Sequence, residues 1–203
     1  MQKQTHKIAA GAVDYAFDSF HYGNRGVKIT LQASLHADEL PGIAVCDHLM
    51  RDLQLLEQQN AIIGQICVVP IANPLGLSQR VLNHPIGRFD LDSGENYNRG
   101  FSLSVDDVLA HCHGKLGDDG LANRDILRRA AVAVLAKSAQ APQNPITQLR
   151  THLQRLAIDA DIVLDFHCDN VGPLHCYTNH DGAELFTGLM QYMQGSHVLL
   201  ADD

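Results

Sequence analysis

The chain has 203 residues, 45% hydrophobic and 19% charged, which suits one globular domain with a sizeable core. Its formal net charge is −8 with twelve histidines counted as neutral, and no Lys/Arg-rich run occurs, so neither a nucleic acid nor an anionic membrane surface is expected as a partner. No apolar stretch approaches the ~20 residues of a membrane span, and the polar start from Met1 to Lys7 leads into no apolar leader; a soluble, cytoplasmic protein is expected.

In chain order, Val27 to Leu35 is apolar and β-branched enough for a strand that ends at His36. Pro41 suits the first turn of a following helix, where its missing N–H is harmless. Ile43, Cys46, Leu49, Met50, Leu53 and Leu56 recur at helical spacing and give that helix one buried face. Ala61 to Ile71 reads as a second strand, apolar along most of its length as in a sheet covered on both faces. Strand, helix, strand in this order predicts a right-handed crossover and a partly parallel sheet.

Asn73 to Phe101 is turn-rich and lacks a clear period, a pattern commoner in functional loops than in filler. Helices are predicted over Val105 to Cys112, Arg124 to Ser138, and a segment marked by Ile146, Leu149, Leu153 and Leu156. Asp161 to His167 reads as a buried-type strand. Leu174 to Thr178 is a short strand, Gly182 to Gln194 a helix and His197 to Ala201 a last strand. The five cysteines, Cys46, Cys67, Cys112, Cys168 and Cys176, include no C-x-x-C pair. Free, mostly buried thiols in a reducing compartment are expected rather than a structural zinc knuckle.

Chemistry gathers at the strand ends, where open α/β sheets bind their ligands. His36 and Glu39 are three apart on the turn between a strand and a helix. That spacing lets an imidazole nitrogen and a carboxylate converge on one Zn2+, although a solvated turn looks the same in isolation. His167 closes an apolar strand at the same end of the sheet, where a polar group needs a partner. It is a third ligand or a core histidine bonded to a backbone carbonyl. Asp165, two residues earlier, shares its face and could orient it. In Gly94 to Phe101, Arg99 could hold a carboxylate with Asn98 beside it, or the segment is a surface loop.

Taken in order, HADELPG (His36 to Gly42), NPLGLSQR (Asn73 to Arg80), GRF (Gly87 to Phe89), NYNRGF (Asn96 to Phe101) and DIVLDFHC (Asp161 to Cys168) resemble the M14 zinc metallocarboxypeptidase superfamily. The nearest branch is the succinylglutamate desuccinylase/aspartoacylase group, and the likeness covers roughly residues 27 to 180. It implies a three-layer α/β/α fold with a mixed, largely parallel sheet, and one Zn2+ per chain held by His36, Glu39 and His167. It also implies that Asn98 and Arg99 grip the free carboxylate of a substrate. The resemblance further implies an arginine after the Asn-Pro turn that polarises the scissile carbonyl; Arg88 fits that role by its spacing from Asn73, with Arg80 second. The implied activity is hydrolysis of the amide of a small N-acyl amino acid or short peptide.

One element of the pattern is missing. The family's general base is a glutamate on a late strand, and after His167 only Glu184 follows, at the start of a predicted helix. The expectation is a single zinc-hydrolase domain over 1–203, incomplete at its C-terminus as a fragment or through an early stop. The alternative is a complete chain with another base, Glu184 or Glu95, or a metal- and carboxylate-binding module without catalysis. Tyr177 and His175, on a strand after the third ligand, are candidates for lining the pocket. A nucleophilic Cys168 is disfavoured because its neighbour His167 points to the opposite strand face. His111 and His113 diverge on a helix and make no metal pair.

Overall fold

The computed structural model describes residues 1–139, 143–169, 171–193 and 197–201. The chain divides into two compact units, Met1–Cys168 and Asp169–Asp203. The first contains β1 (Gln2–Ile8), β2 (Tyr15–Gly23), β3 (Lys28–Ala33), α1 (Pro41–Gln58), β4 (Gln65–Val69), α2 (Pro74–Ser78), the two-residue strands β5 (Arg80–Val81) and β6 (His84–Pro85), α3 (Val105–Cys112), α4 (Gly120–Ser138), α5 (Pro145–Asp159) and β7 (Ile162–Phe166). The second contains β8 (His175–Thr178), α6 (His180–Met190) and β9 (His197–Leu200), with β8 and β9 parallel.

Among the described residues of the first unit, one five-stranded sheet runs in the order β1-β2-β4-β3-β7. β3 pairs in parallel with both β4 and β7, whereas β1 with β2 and β2 with β4 are antiparallel. The sheet is therefore mixed, as expected, with a parallel set of three strands and an antiparallel pair on one side. That pair, β1 and β2, is an addition to the elements predicted from sequence.

Alternation along the strands separates two buried layers. Leu31 and Ala33 of β3 and Val68 of β4 pack with Cys46 and Leu53 of α1 on one face. Cys67 and Val69 of β4, with Ile8 and Phe17, meet Ile146, Leu149 and Leu153 of α5 on the other. Both faces of β4 are thus covered, which is why its sequence lacks a polar face. Leu149 and Leu153 are almost wholly buried, each contributing about 1.5–3 kcal/mol by leaving water. Beyond α5, α4 and α3 close a smaller cluster through Val108, Cys112, Ala130, Ala131 and Val134.

Helix starts follow local chemistry. α1 begins at Pro41, as predicted. α4 begins four residues before Arg124, because the Asp119 carboxylate accepts the N–H groups of Leu121 and Ala122 and caps an extra turn. Asn144 caps α5 through the Thr147 N–H. At the end of β3 away from the strand tips, Asp161 fixes the β7 register by accepting the Lys28 N–H at 2.8 Å and Arg128 Nη2 at 2.8 Å. Cys46, Cys67 and Cys112 are buried. Among the described residues, no helix is long and apolar enough to cross a membrane.

Candidate metal centre

The site forms where β3 and β7 end. β3 stops at Ala33, and Ser34 then adopts a left-handed backbone, φ 62°, which turns the chain toward His36. The turn is held on three sides. The Ala72 N–H donates to the Ala33 carbonyl at 2.9 Å. The fully buried Asn73 donates through Nδ2 to the Leu35 carbonyl, while its Oδ1 caps α2 at the Gly76 N–H. The Ala37 N–H donates to the Gly87 carbonyl at 2.9 Å. Gly87 allows that approach, since a Cβ there would lie 2.3 Å from the Asp38 nitrogen. The Asn-Pro turn and the Gly-Arg-Phe motif therefore brace the His36 segment.

His36, Glu39 and His167 converge, with one ligand atom of each lying within 4.8 Å of the others. His36 Nδ1 is 2.9 Å from Glu39 Oε1, and His167 Nδ1 is 2.9 Å from Glu39 Oε2. The far ring nitrogens also have partners: His36 Nε2 is 3.1 Å from Asn96 Oδ1, and His167 Nε2 is 2.9 Å from Asp165 Oδ2. The Asn98 N–H donates to the same Asn96 oxygen at 2.8 Å, which fixes the orientation of that amide. Each imidazole thus faces oxygen acceptors at both nitrogens, yet a neutral ring carries a single N–H. With the proton on Nε2, both Nδ1 lone pairs point at the Glu39 carboxylate. A divalent cation held by His36, Glu39 and His167 would relieve these two repulsive contacts, and such a donor set would suit zinc.

The electrostatics follow the same geometry. Burial by itself would raise Glu39; the Cys168 N–H, at 2.8 Å from Oε2, and the two histidines outweigh it and hold the carboxyl below its usual range. The hydrogen bond to Asp165 raises His167 above the ordinary histidine value against the opposing effect of burial, and Glu39 adds to the rise.

The other predicted residues divide into three groups. Arg88 reaches the centre, with Nη1 3.3 Å from Glu39 Oε1 and half its side chain exposed. Asn98 Nδ2 lies 3.4 Å from His167 Nε2, and Arg99 Nη1 donates to the Asn98 carbonyl at 2.7 Å. Arg80 is not brought to the cluster: its Nη1 donates to the carbonyls of Leu77 and Gln79 at the end of α2. Glu95 is engaged by Arg150, Nη1 to Oε2 2.5 Å. Tyr177, on β8, and Glu184, on α6, are exposed residues of the second unit. His175 of that unit pairs with Asp169 at 3.4 Å.

Sequence reasoning passed over two residues of the site. Asn96 holds the far nitrogen of His36, and the buried Arg150 donates to the Asn96 carbonyl at 2.8 Å. An arginine set between Leu149 and Leu153, on the helix side that carries the apolar residues, was the available signal for the second.

A mixed α/β sheet thus carries, at its strand ends, a His-Glu-His cluster that could hold a metal ion. The comparisons make the class specific. Residues 25–200 match the succinylglutamate desuccinylase/aspartoacylase catalytic domain, and the chain belongs to that family. Among solved structures it is similar to a succinylglutamate desuccinylase/aspartoacylase family protein from Shewanella amazonensis, at 27% identity and TM-score 0.82, covering 98% of this chain and 54% of that one. A second, from Shewanella frigidimarina, gives 26% identity and TM-score 0.77 over 90% of this chain and 50% of that one. An aspartoacylase family protein from Mesorhizobium loti, at 17% identity and TM-score 0.54, shares the fold. The chain spans about half the length of the solved structures it matches. A comparison with curated proteins finds no match.

Proposed function

We propose that His36, Glu39 and His167 hold one Zn2+ and that the chain serves hydrolysis of the amide bond in a small N-acyl amino acid or short peptide. The observation that carries this reading is the convergence of both Nδ1 atoms on the Glu39 carboxylate, with each Nε2 tied to an oxygen acceptor. A zinc ion in such a set supplies Lewis acidity and acidifies water at neutral pH. Arg88, whose guanidinium borders the cluster, stabilises negative charge developing on the carbonyl oxygen. Asn98 and Arg99, side by side at the rim, bind the free carboxylate and set the substrate's orientation.

Elemental analysis of the purified chain tests the metal: about one zinc per chain is expected, lost in Glu39→Gln. A wild-type chain without zinc, or one whose zinc survives loss of Glu39, defeats the reading. Assays with N-succinylglutamate, N-acetylaspartate and a short peptide then test the chemistry. In an active protein, Arg88→Ala lowers kcat/KM by about 10²–10³ with zinc content unchanged.

One observation favours a second reading, a metal- and carboxylate-binding module without turnover. Of the candidate bases, Glu95 is bound by Arg150. Tight acyl-amino-acid binding by the zinc form, with no hydrolysis, selects that reading.

A further inference from the structure

We infer that Arg150 is a positioning residue for the metal centre, holding the Glu95 to Gly100 loop in the shape that aims Asn96 at His36. The inference rests on the metal reading above and extends it to a side chain that touches no ligand.

Arg150 lies on α5 between the core residues Leu149 and Leu153 and is 6% exposed. A buried guanidinium is costly unless its donors are satisfied; here the two terminal nitrogens have partners, whereas the buried Nε has none. Nη1 pairs with Glu95 Oε2 at 2.5 Å, and Nη2 donates to the Asn96 carbonyl at 2.8 Å. At the far end of the loop, Gly100 adopts φ 71°, and a Cβ there would lie 2.9 Å from Arg150 Nη1. The loop is moulded on the guanidinium at both ends. Between those ends, Asn96 Oδ1 accepts the Asn98 N–H at 2.8 Å and faces His36 Nε2 at 3.1 Å. Two steps therefore link a rigid helix to a metal ligand: Arg150 to the Asn96 backbone, and the Asn96 side chain to the His36 ring. The same clamp sets Asn98.

Partners of ligating histidines typically govern metal affinity by 10–100-fold. A double-mutant cycle on zinc affinity, read by competition with a chromophoric chelator, tests the link without requiring turnover. Arg150→Met and Asn96→Ala are each expected to weaken zinc binding about tenfold, and the double variant about tenfold as well, because both act through one contact. An unchanged affinity in folded Arg150→Met, or an additive hundredfold loss in the double variant, overturns the inference. If Arg150→Met does not fold by circular dichroism, Glu95→Gln takes its place, leaving the guanidinium bound to Asn96. It is expected to weaken zinc about threefold, and no change overturns the inference. Failure of the parent reading looks different: the wild-type chain then binds no zinc, or His36→Gln binds it as well as wild type does, and the inference falls with it.

Discussion

Asp165 shows how one residue converts an ordinary strand end into a site. It sits two positions before His167 on β7, so strand alternation places both on one face, and its carboxylate lies 2.9 Å from His167 Nε2. A proton held there leaves Nδ1 free for a cation and makes the ring a stronger donor. Asp165→Ala is expected to lower zinc affinity by about 10–100-fold with little change in the fold, as measured by chelator competition and circular dichroism. Gly87 works sterically on the other ligand. A methyl group there would lie 2.3 Å from the Asp38 nitrogen, a backbone atom that cannot swing aside, so the Gly87 segment must withdraw and the Ala37 to Gly87 hydrogen bond breaks. Gly87→Ala should destabilise the protein by about 2–4 kcal/mol. A fall in Tm of roughly 5–12 °C in calorimetry, with weaker zinc binding, is the expected result.

At the scale of elements, the antiparallel strands β1 and β2 carry a titration of their own. His6 stacks on Phe17 at 4.6 Å, its Nε2 is 2.9 Å from the buried Ser19 hydroxyl, and His21 meets the same hydroxyl from the other side at 2.9 Å. Burial lowers His6 to about 4, with His152, His21 and Arg155 adding to the fall and Asp18 opposing it. Burial also lowers His21 and His152. An unfolded histidine titrates near 6.5, so between about 6.5 and 4 the unfolded chain binds protons that the folded chain refuses. Stability is therefore fully present above about 6.5 and falls as the pH drops toward 4. The His6 share is on the order of 2 kcal/mol after solvent screening. Chemical denaturation at a series of pH values should show this loss in the wild type and a shallower one in His6→Gln; equal slopes would refute it.

The same strands mark where the sequence was hard to read. In β1, Gln2, Gln4 and His6 alternate with Lys3, Thr5 and Lys7, so neither face shows an apolar row, and the strand is held by pairing with β2 and by α5. In β2, the polar Ser19 and His21 interrupt the face that Tyr15 and Phe17 begin. α1 and β7 were legible because their apolar patterns are local and their ends are marked by Pro41 and His167. His36, Glu39 and His167 were legible as a set only through the order of motifs that resembles the family, because alone the first two look like a solvated turn and the third like a core histidine. Asn96 and Arg150 were not, since the role of each exists only after a helix and a loop distant in sequence have packed together.

For the molecule as a whole, these parts meet in one thermodynamic consequence. The three proposed ligands come from two places far apart in the chain, the turn after β3 and the end of β7, and all lie in the Met1–Cys168 unit. The parallel pairing of β3 with β7 brings them together, with Ala33 opposite Phe166 at the top of the ladder. An unfolded chain has no such convergence, so an ion that binds the folded site must stabilise the fold by RT ln(1 + [Zn]/Kd), about 2.7 kcal/mol at a hundredfold excess over Kd. For a chain of this size that corresponds to a rise in Tm of roughly 5–10 °C. Differential scanning fluorimetry with Zn2+ should show the rise, EDTA should reverse it, and His36→Gln and Glu39→Gln should abolish it. Mg2+ should leave Tm nearly unchanged, because it favours an all-oxygen octahedral shell over imidazole nitrogen. An equal response to both ions, or a zinc response that survives loss of Glu39, would place the binding elsewhere and remove the ground for a metal centre at these strand ends.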